Sequence, residues 1–205
     1  MNPAVTIVNP AIVSPYLYPD NLQLSETEDY ELGGIGLSDP SQGLEVQAWK
    51  MEVLGTGAGT YISVSAPNTP PTTLLSVPDI SWARLTFDQN MHPVIAYIAS
   101  GLPYLYWWDP TVPGNVSTPL PTTITAPCVT LDDKRPLATL LGQSDVVLCY
   151  INNNNLCYRL QRDRYGTEYV WVNNIDNIIA SASVFNIGMT VGMRLLVYVR
   201  GSLYL

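Results

Sequence analysis

One histidine, three cysteines and a scatter of aspartates are the residues of this 205-residue sequence that could do covalent or acid–base chemistry. His92 stands alone in the turn-like string QNMHP. A zinc site or a Ser–His triad needs partners around it, so His92 reads as structural or solvent-facing. Hydrolysis by paired carboxylates needs two acids across a cleft. The candidates are Asp88, Asp132, Asp133, Asp145 and Asp163. Asp88 and Asp132 close the similar strings LTFD and VTLD, and matching places in two copies imply a shared structural duty, an Asx turn, rather than a unique catalytic one. Cys128, Cys149 and Cys157 are an odd number without a ligand motif. Cys149 and Cys157 flank a run of asparagines and could face each other across it. Both sit in apolar runs, where a free thiol behaves as a small hydrophobe. Gly33, Gly34 and Gly36 come close to a GxGxxG spelling, but no helix pattern follows to cradle a phosphate, so they read as a turn. Catalytic, cofactor-binding and metal-ligating sets are all absent from this reading: no cofactor, and no enzyme, is expected.

Recognition chemistry is better represented. Trp107 and Trp108 adjoin Tyr104 and Tyr106, and consecutive strand residues point to opposite faces. One Trp can therefore fill the core while the other is exposed, where with the tyrosines it could stack on sugar rings or form a protein hot spot. Arg159, Arg162 and Arg164 fall within six positions. They are expected at a solvated strand end, paired with Asp163 and Glu168.

The elements that would position these residues are two-stranded. Residues 145–151 and 156–161 are β-rich runs joined by asparagines, which enter positive φ at small cost and so mark a hairpin. The pattern occurs upstream as VIAYI-ASGLP-YLYWW and at the end as LLVYV-RGS-LYL. Each copy places a tyrosine near the end of its first strand: Tyr97, Tyr150 and Tyr198, 53 and then 48 residues apart. A looser fourth hairpin joins residues 44–53 and 60–65 around Gly55–Gly59. Repeats of about 50 residues built from short antiparallel strands suit propeller blades, and a β-sandwich is the other all-β arrangement expected. The Pro/Thr-rich segments 66–78 and 112–127 read as extended connectors, and 134–143 as an insertion with one helical turn after Pro136. Further strands are expected over 169–172 and 178–185. Residues 1–31 carry four prolines that bar helix, and form an extended N-terminal arm ahead of a β-rich domain over 32–205. The arm must bury Val5, Ile7, Val8, Ile12, Val13, Tyr16 and Tyr18 on something, which makes it a candidate assembly element.

Bulk composition narrows the partners. Hydrophobic residues make up 47%, but charged ones only 13%, about half the usual ~25%. A chain so poor in ionised side chains, with 13 Tyr and 5 Trp, is expected to cover much of its surface with other chains. The net charge of −8 argues against nucleic-acid binding, which needs a basic face. The N-terminus lacks the basic n-region of a signal peptide and no run reaches membrane-spanning length, so assembly in a cytoplasm and no membrane contact are expected.

The runs LTFDQNMHPVIAYI, LYWWDPTV, LDDKRP and SDVVLCYI…LCYRLQRDRYGTEY, with GGIGLSDPSQGLEVQAW and APNTPPTTLL, resemble a group of small tailed-bacteriophage proteins encoded among tail and fibre genes. The likeness spans most of residues 30–172. It implies a non-enzymatic virion component near the tail tip, baseplate or fibre attachment point. Other tail, baseplate or fibre proteins would be its partners, together with copies of itself in a symmetric assembly. It carries no functional residue over. The alternative is a host-receptor protein binding surface glycans through Tyr104, Tyr106, Trp107 and Trp108.

Overall fold

The computed structural model describes residues 28–33, 47–66, 69–132, 144–173, 178–184 and 195–199, with side chains from residue 49 to residue 173 within those ranges. The described chain is all-β: fourteen strands, two single-turn 3-10 segments and no α-helix. The strands form three four-stranded antiparallel meanders and a two-stranded ladder, each sheet taking consecutive strands of the chain.

The first sheet is β1 (Glu28–Gly33), β2 (Gln47–Leu54), β3 (Tyr61–Ser65) and β4 (Thr72–Ser76). The second is β5 (Ile80–Phe87), β6 (Pro93–Ala99), β7 (Leu102–Asp109) and β8 (Gly114–Pro119). The third is β9 (Ile124–Asp132), β10 (Asp145–Asn152), β11 (Asn155–Leu160) and β12 (Tyr169–Val172). The ladder pairs β13 (Ile178–Val184) with β14 (Leu195–Val199). The leading strands lie beside one another: β1 against β5, β5 against β9, β9 against β13.

Local chemistry explains the tight turns. Asn153 and Asn154 both take positive φ, 48° and 60°, between β10 and β11. Ser100 and Gly101 do the same, at 49° and 75°, between β6 and β7. Two successive positive-φ residues are the hairpin geometry whose twist matches the flanking strands. Between β2 and β3, Gly55 has φ 85° and an added Cβ would lie 2.2 Å from the Gly59 carbonyl oxygen, so only glycine fits there.

The Pro/Thr-rich segments are strands rather than connectors. β4 and β8 lie within them, each at the outer edge of its sheet. Thr and Val favour extended backbone, and proline is tolerated on an edge strand because one side of that strand needs no ladder donor. Pro127 likewise falls inside β9, an edge strand, beside a register shift against β10 and a positive φ at Ala126. Such a bulge leaves a residue unpaired and accommodates the missing N–H. Each unit is thus four strands deep, where the sequence reading saw a strand and a hairpin.

Two further expectations change. Residues 28–31, assigned to the arm, pair with β2 as part of β1. Val5, Ile7, Val8, Ile12, Val13, Tyr16 and Tyr18 lie outside the described residues, as does the 134–143 insertion. The 195–199 run pairs with β13, and its expected partner at 203–205 is outside the described residues.

Packing follows strand alternation. On β6 and β7, Val94, Ala96, Leu105 and Trp107 face the third sheet, joining Val129, Val146, Leu148 and Tyr150 in one core. Their neighbours Ile95, Tyr97 and Tyr106 face the first sheet, joining Met51, Ile62 and Val64 in another. The second sheet is therefore buried on both faces, which explains why VIAYI and YLYWW are apolar without a break. On the far side of the third sheet, Cys128, Val147, Cys149 and Leu156 are covered partly by Trp82, Tyr158 and Trp171.

Candidate functional site

The densest polar chemistry lies along the seam between the second and third sheets. It is built by the connection from β11 to β12. Residues Gln161–Asp163 make one 3-10 turn, and Arg164 and Tyr165 follow with φ of 51° and 55°. Two successive left-handed non-glycine residues cost free energy and persist where the surroundings hold them. Here the holding groups are plain. Tyr165 N–H donates to the Leu160 carbonyl at 3.0 Å, and Gly166 N–H to that of Asp163 at 3.0 Å. The Tyr165 ring, 4% exposed, enters the core edge-on to Trp107 with centroids 5.1 Å apart.

Three buried aspartates receive this loop. Arg162 donates its backbone N–H to Asp145 Oδ1 at 3.0 Å, and its Nε lies 3.1 Å from Oδ2. Arg164 Nη2 reaches Asp109 Oδ2 at 2.6 Å and Thr111 Oγ1 at 2.9 Å. Gln161 Nε2 lies 3.4 Å from Asp88 Oδ2. Arg159 turns inward instead, donating to Tyr150 Oη at 2.7 Å and to the Tyr165 carbonyl at 2.9 Å. Tyr150 O–H in turn donates to Glu168 at 2.7 Å. Asp88 and Asp109 belong to the second sheet's strand ends and the loop to the third, so these bonds lock one sheet to the other.

Asp109 is held below the usual carboxylate range, first by the Thr111 backbone N–H, against the opposing effect of desolvation, and then by Arg164. Burial pushes the Tyr165 phenol well up, with the Asp145 and Asp88 charges adding to it. Burial raises the Tyr150 phenol, as does its bond to Glu168. Every one of these shifts keeps a carboxylate charged and a phenol neutral, the states the latch requires.

The arginine expectation is corrected in part. Arg159 does approach Glu168, at 3.6 Å, but Arg162 and Arg164 seek Asp145 and Asp109, while Asp163 accepts the Tyr169 hydroxyl. The readable sign was the row of aspartates at strand ends, Asp88, Asp109, Asp132 and Asp145, all buried and each next to apolar sequence. A buried carboxylate needs a donor nearby, and the arginine trio is the obvious supply. Gln161 and Tyr165 carried no such signal.

Asp88 forms the expected Asx turn, taking the N–H groups of Asn90 and His92 at 2.8 and 2.9 Å. Its other oxygen lies 2.9 Å from His92 Nδ1, and the His92 ring stacks on Trp108 at 4.5 Å. His92 thus has a structural partner on each side. Asp132 and Asp145 are register partners across β9 and β10, both buried; Asp133 is outside the described residues.

The four aromatic candidates are separated. Trp107 is 3% exposed and donates to Thr118 Oγ1, and Tyr106 is 8% exposed, so neither offers a contact face. Trp108 is half-buried beneath His92. Tyr104 is half-buried and stacks on Tyr97 at 5.2 Å. The cysteines are all free and buried. Cys149 and Cys157 do not face each other: Cys149 pairs with Tyr158 and Cys157 with Tyr150, a one-residue offset that sends the thiols to opposite faces. Cys149 instead lies opposite Cys128. Among the described residues, no three His, Cys, Asp or Glu side chains group to hold a metal ion, and no helix is long and apolar enough to cross a membrane.

Compared with known proteins, the chain matches no family model, no curated protein and no solved structure.

Proposed function

We propose that the chain is a non-enzymatic structural component of a tailed-phage virion, an adaptor at the tail tip, baseplate or fibre attachment that is assembled in the host cytoplasm. The observation that carries this reading is the outer edge of the third sheet. β12 ends the sheet there, with Tyr169 and Val170 36% and 51% exposed. Half-buried Tyr158, stacked on Tyr169 at 5.1 Å, and Trp171 extend the apolar surface on the Tyr169 face. Val170, paired with Cys157, lies on the other face of the same edge strand. An open edge with apolar side chains pairs readily with another chain. In a protein with 13% charged residues, such an edge favours a neighbour over water.

The sheet order also supports a propeller-like reading. Leading strands β1, β5, β9 and β13 begin at residues 28, 80, 124 and 178, side by side, with β4, β8 and β12 outermost. Consecutive four-stranded meanders stacked face to face are how blades are arranged. Symmetric neighbours, copies of this chain or other tail proteins, would then cover the faces left at the ends of the array.

The test is incorporation. Particles whose only source of this protein is a Val170→Asp variant should lack it by mass spectrometry of purified tails, while the isolated variant keeps its β-sheet circular dichroism. Absence of the wild-type chain from purified particles, or normal incorporation of the variant, would overturn the reading.

A further inference from the structure

We propose that a cavity of about 250 Å³ between the end of the first sheet and the second sheet binds one neutral pyranose ring. The proposal does not depend on the adaptor role. The cavity is lined by Val77 and Pro78, which lead from β4 to β5, and by Tyr97, Tyr104, Ser100 and Ser117 of the second sheet. It lies at the opposite seam from the aspartate latch.

Three features select the ligand. First, the walls are amphipathic. Half-buried Tyr104 stacks on its cross-strand partner Tyr97 within 16° of parallel. Tyr97, 1% exposed, thus backs the ring Tyr104 offers, and Val77 and Pro78 add apolar wall. Aromatic rings of this kind accept the C–H face of a sugar, and a pocket with few polar groups fixes its orientation.

Second, the polar groups come as a hydroxyl pair. Tyr97 O–H donates to Ser117 Oγ at 3.1 Å. With Tyr97 buried, that leaves the exposed Ser117 hydroxyl to donate its O–H and to accept at its remaining lone pair. Two adjacent sugar hydroxyls, one accepting and one donating, complement that hydroxyl. A purely apolar ligand would leave it unanswered.

Third, none of the lining residues is charged. A phosphate, carboxylate or sialic-acid ligand would lose its hydration without gaining a counter-charge. The volume admits one ring rather than an extended chain.

Saturation-transfer NMR on the full chain tests this, with glucose, galactose and N-acetylglucosamine as probes and N-acetylneuraminic acid as the anionic control. At least one neutral sugar should give saturable transfer with Kd on the order of 1 mM, the range expected of so few contacts. Ser117→Ala and Tyr104→Ala should each weaken it about tenfold or more, corresponding to the loss of one hydrogen bond or one stacking face. Arg162→Ala, a largely solvated side chain at the other seam, should leave it unchanged. Ser117 is exposed, so its variant tests the site without threatening the fold. Four results would overturn the proposal: no transfer from any neutral sugar, equal transfer from the anionic one, signals unchanged in both cavity variants, or a neighbouring chain's aliphatic or proline side chain filling the cavity in a crystal.

Discussion

The two seams on either side of the second sheet are made from the same strands and differ almost wholly in what their loops contribute. Toward the first sheet, β6 and β7 present Ile95, Tyr97, Tyr104 and Tyr106, and the seam ends in hydroxyls and a cavity. Toward the third sheet, the alternate residues Val94, Ala96, Leu105 and Trp107 meet an inserted tyrosine, and the seam ends in three aspartates bound by one loop. Apolar alternation brings sheets together at both. The first seam is tied by neutral bonds, the Ile80 N–H to Thr60 Oγ1 at 3.2 Å and the Asp79 N–H to the Gly57 carbonyl at 2.8 Å. The second adds charged partners, so it should be the more sensitive to single substitutions.

Removing the wedge should have the largest effect. Tyr165→Ala empties a fully enclosed site beside Trp107, and large aromatic-to-alanine changes of this kind cost about 3–5 kcal/mol. Replacing a left-handed tyrosine with another Cβ-bearing residue does nothing to relieve the backbone. Urea unfolding followed by tryptophan fluorescence should show the loss, since the packing of Trp107 changes with it. Stability within about 1 kcal/mol of wild type would mean that Tyr165 is a bystander and the two seams are equivalent.

Next comes the charge behind the wedge. Asp145→Asn keeps an oxygen for the Arg162 backbone N–H but turns a charged acceptor into a neutral one. A hydrogen bond to a charged group is worth about 1.5–3 kcal/mol, and part of that should be lost. Arg162 is itself largely solvated, so its side-chain ion pair adds little. The backbone N–H is the partner that matters, and Arg162→Ala should therefore cost much less than Asp145→Asn. The reverse order would show that the ion pair carries the lock.

At the other seam a comparable change should be milder. Tyr104→Leu keeps apolar bulk and removes only the stack on Tyr97, about 0.5–1.5 kcal/mol. The cavity alongside leaves room for the leucine to settle. A larger penalty than that of Asp145→Asn would reverse the ranking of the two seams.

How much of this was legible depends on whether a feature is local. The turn at Asn153 and Asn154 could be read because a two-residue hairpin is specified by its own residues. The apolar runs of β6 and β7 were legible as a hairpin, but their burial on both faces was not, because it depends on the sheets that flank them. The edge strands β4 and β8 were hidden because proline and threonine spell both a connector and an edge, and only the neighbouring strand decides between them. The separation of Cys149 from Cys157 turned on a register offset of a single residue, which flips a side chain to the other face. Arg162 and Arg164 were noticed, but their partners lie 17 and 55 residues away along the chain. Pairing across that distance is set by which sheets stack, not by spacing.

The smallest effect, and the sharpest contrast, should come with acid. Asp109 has a depressed carboxyl pKa in the folded chain, so the unfolded chain binds its proton first as pH falls below about 3.8. Its contribution is therefore complete above that value and fades as pH drops through the folded pKa. The Thr111 backbone N–H is the largest cause and Arg164 a lesser one, so Arg164→Ala should flatten the acid slope of stability without abolishing it. Thr111→Pro, which deletes the N–H, should flatten it further. Neither Ser117 nor Tyr104 contacts a carboxylate among the described bonds, so Ser117→Ala and Tyr104→Leu should leave that slope as it is in the wild type. Stability measured from pH 5 down through pH 3 distinguishes the cases. If the first-seam variants changed the acid limb as much as Arg164→Ala, the acid response would belong to the whole array and the lock would not be confined to one seam.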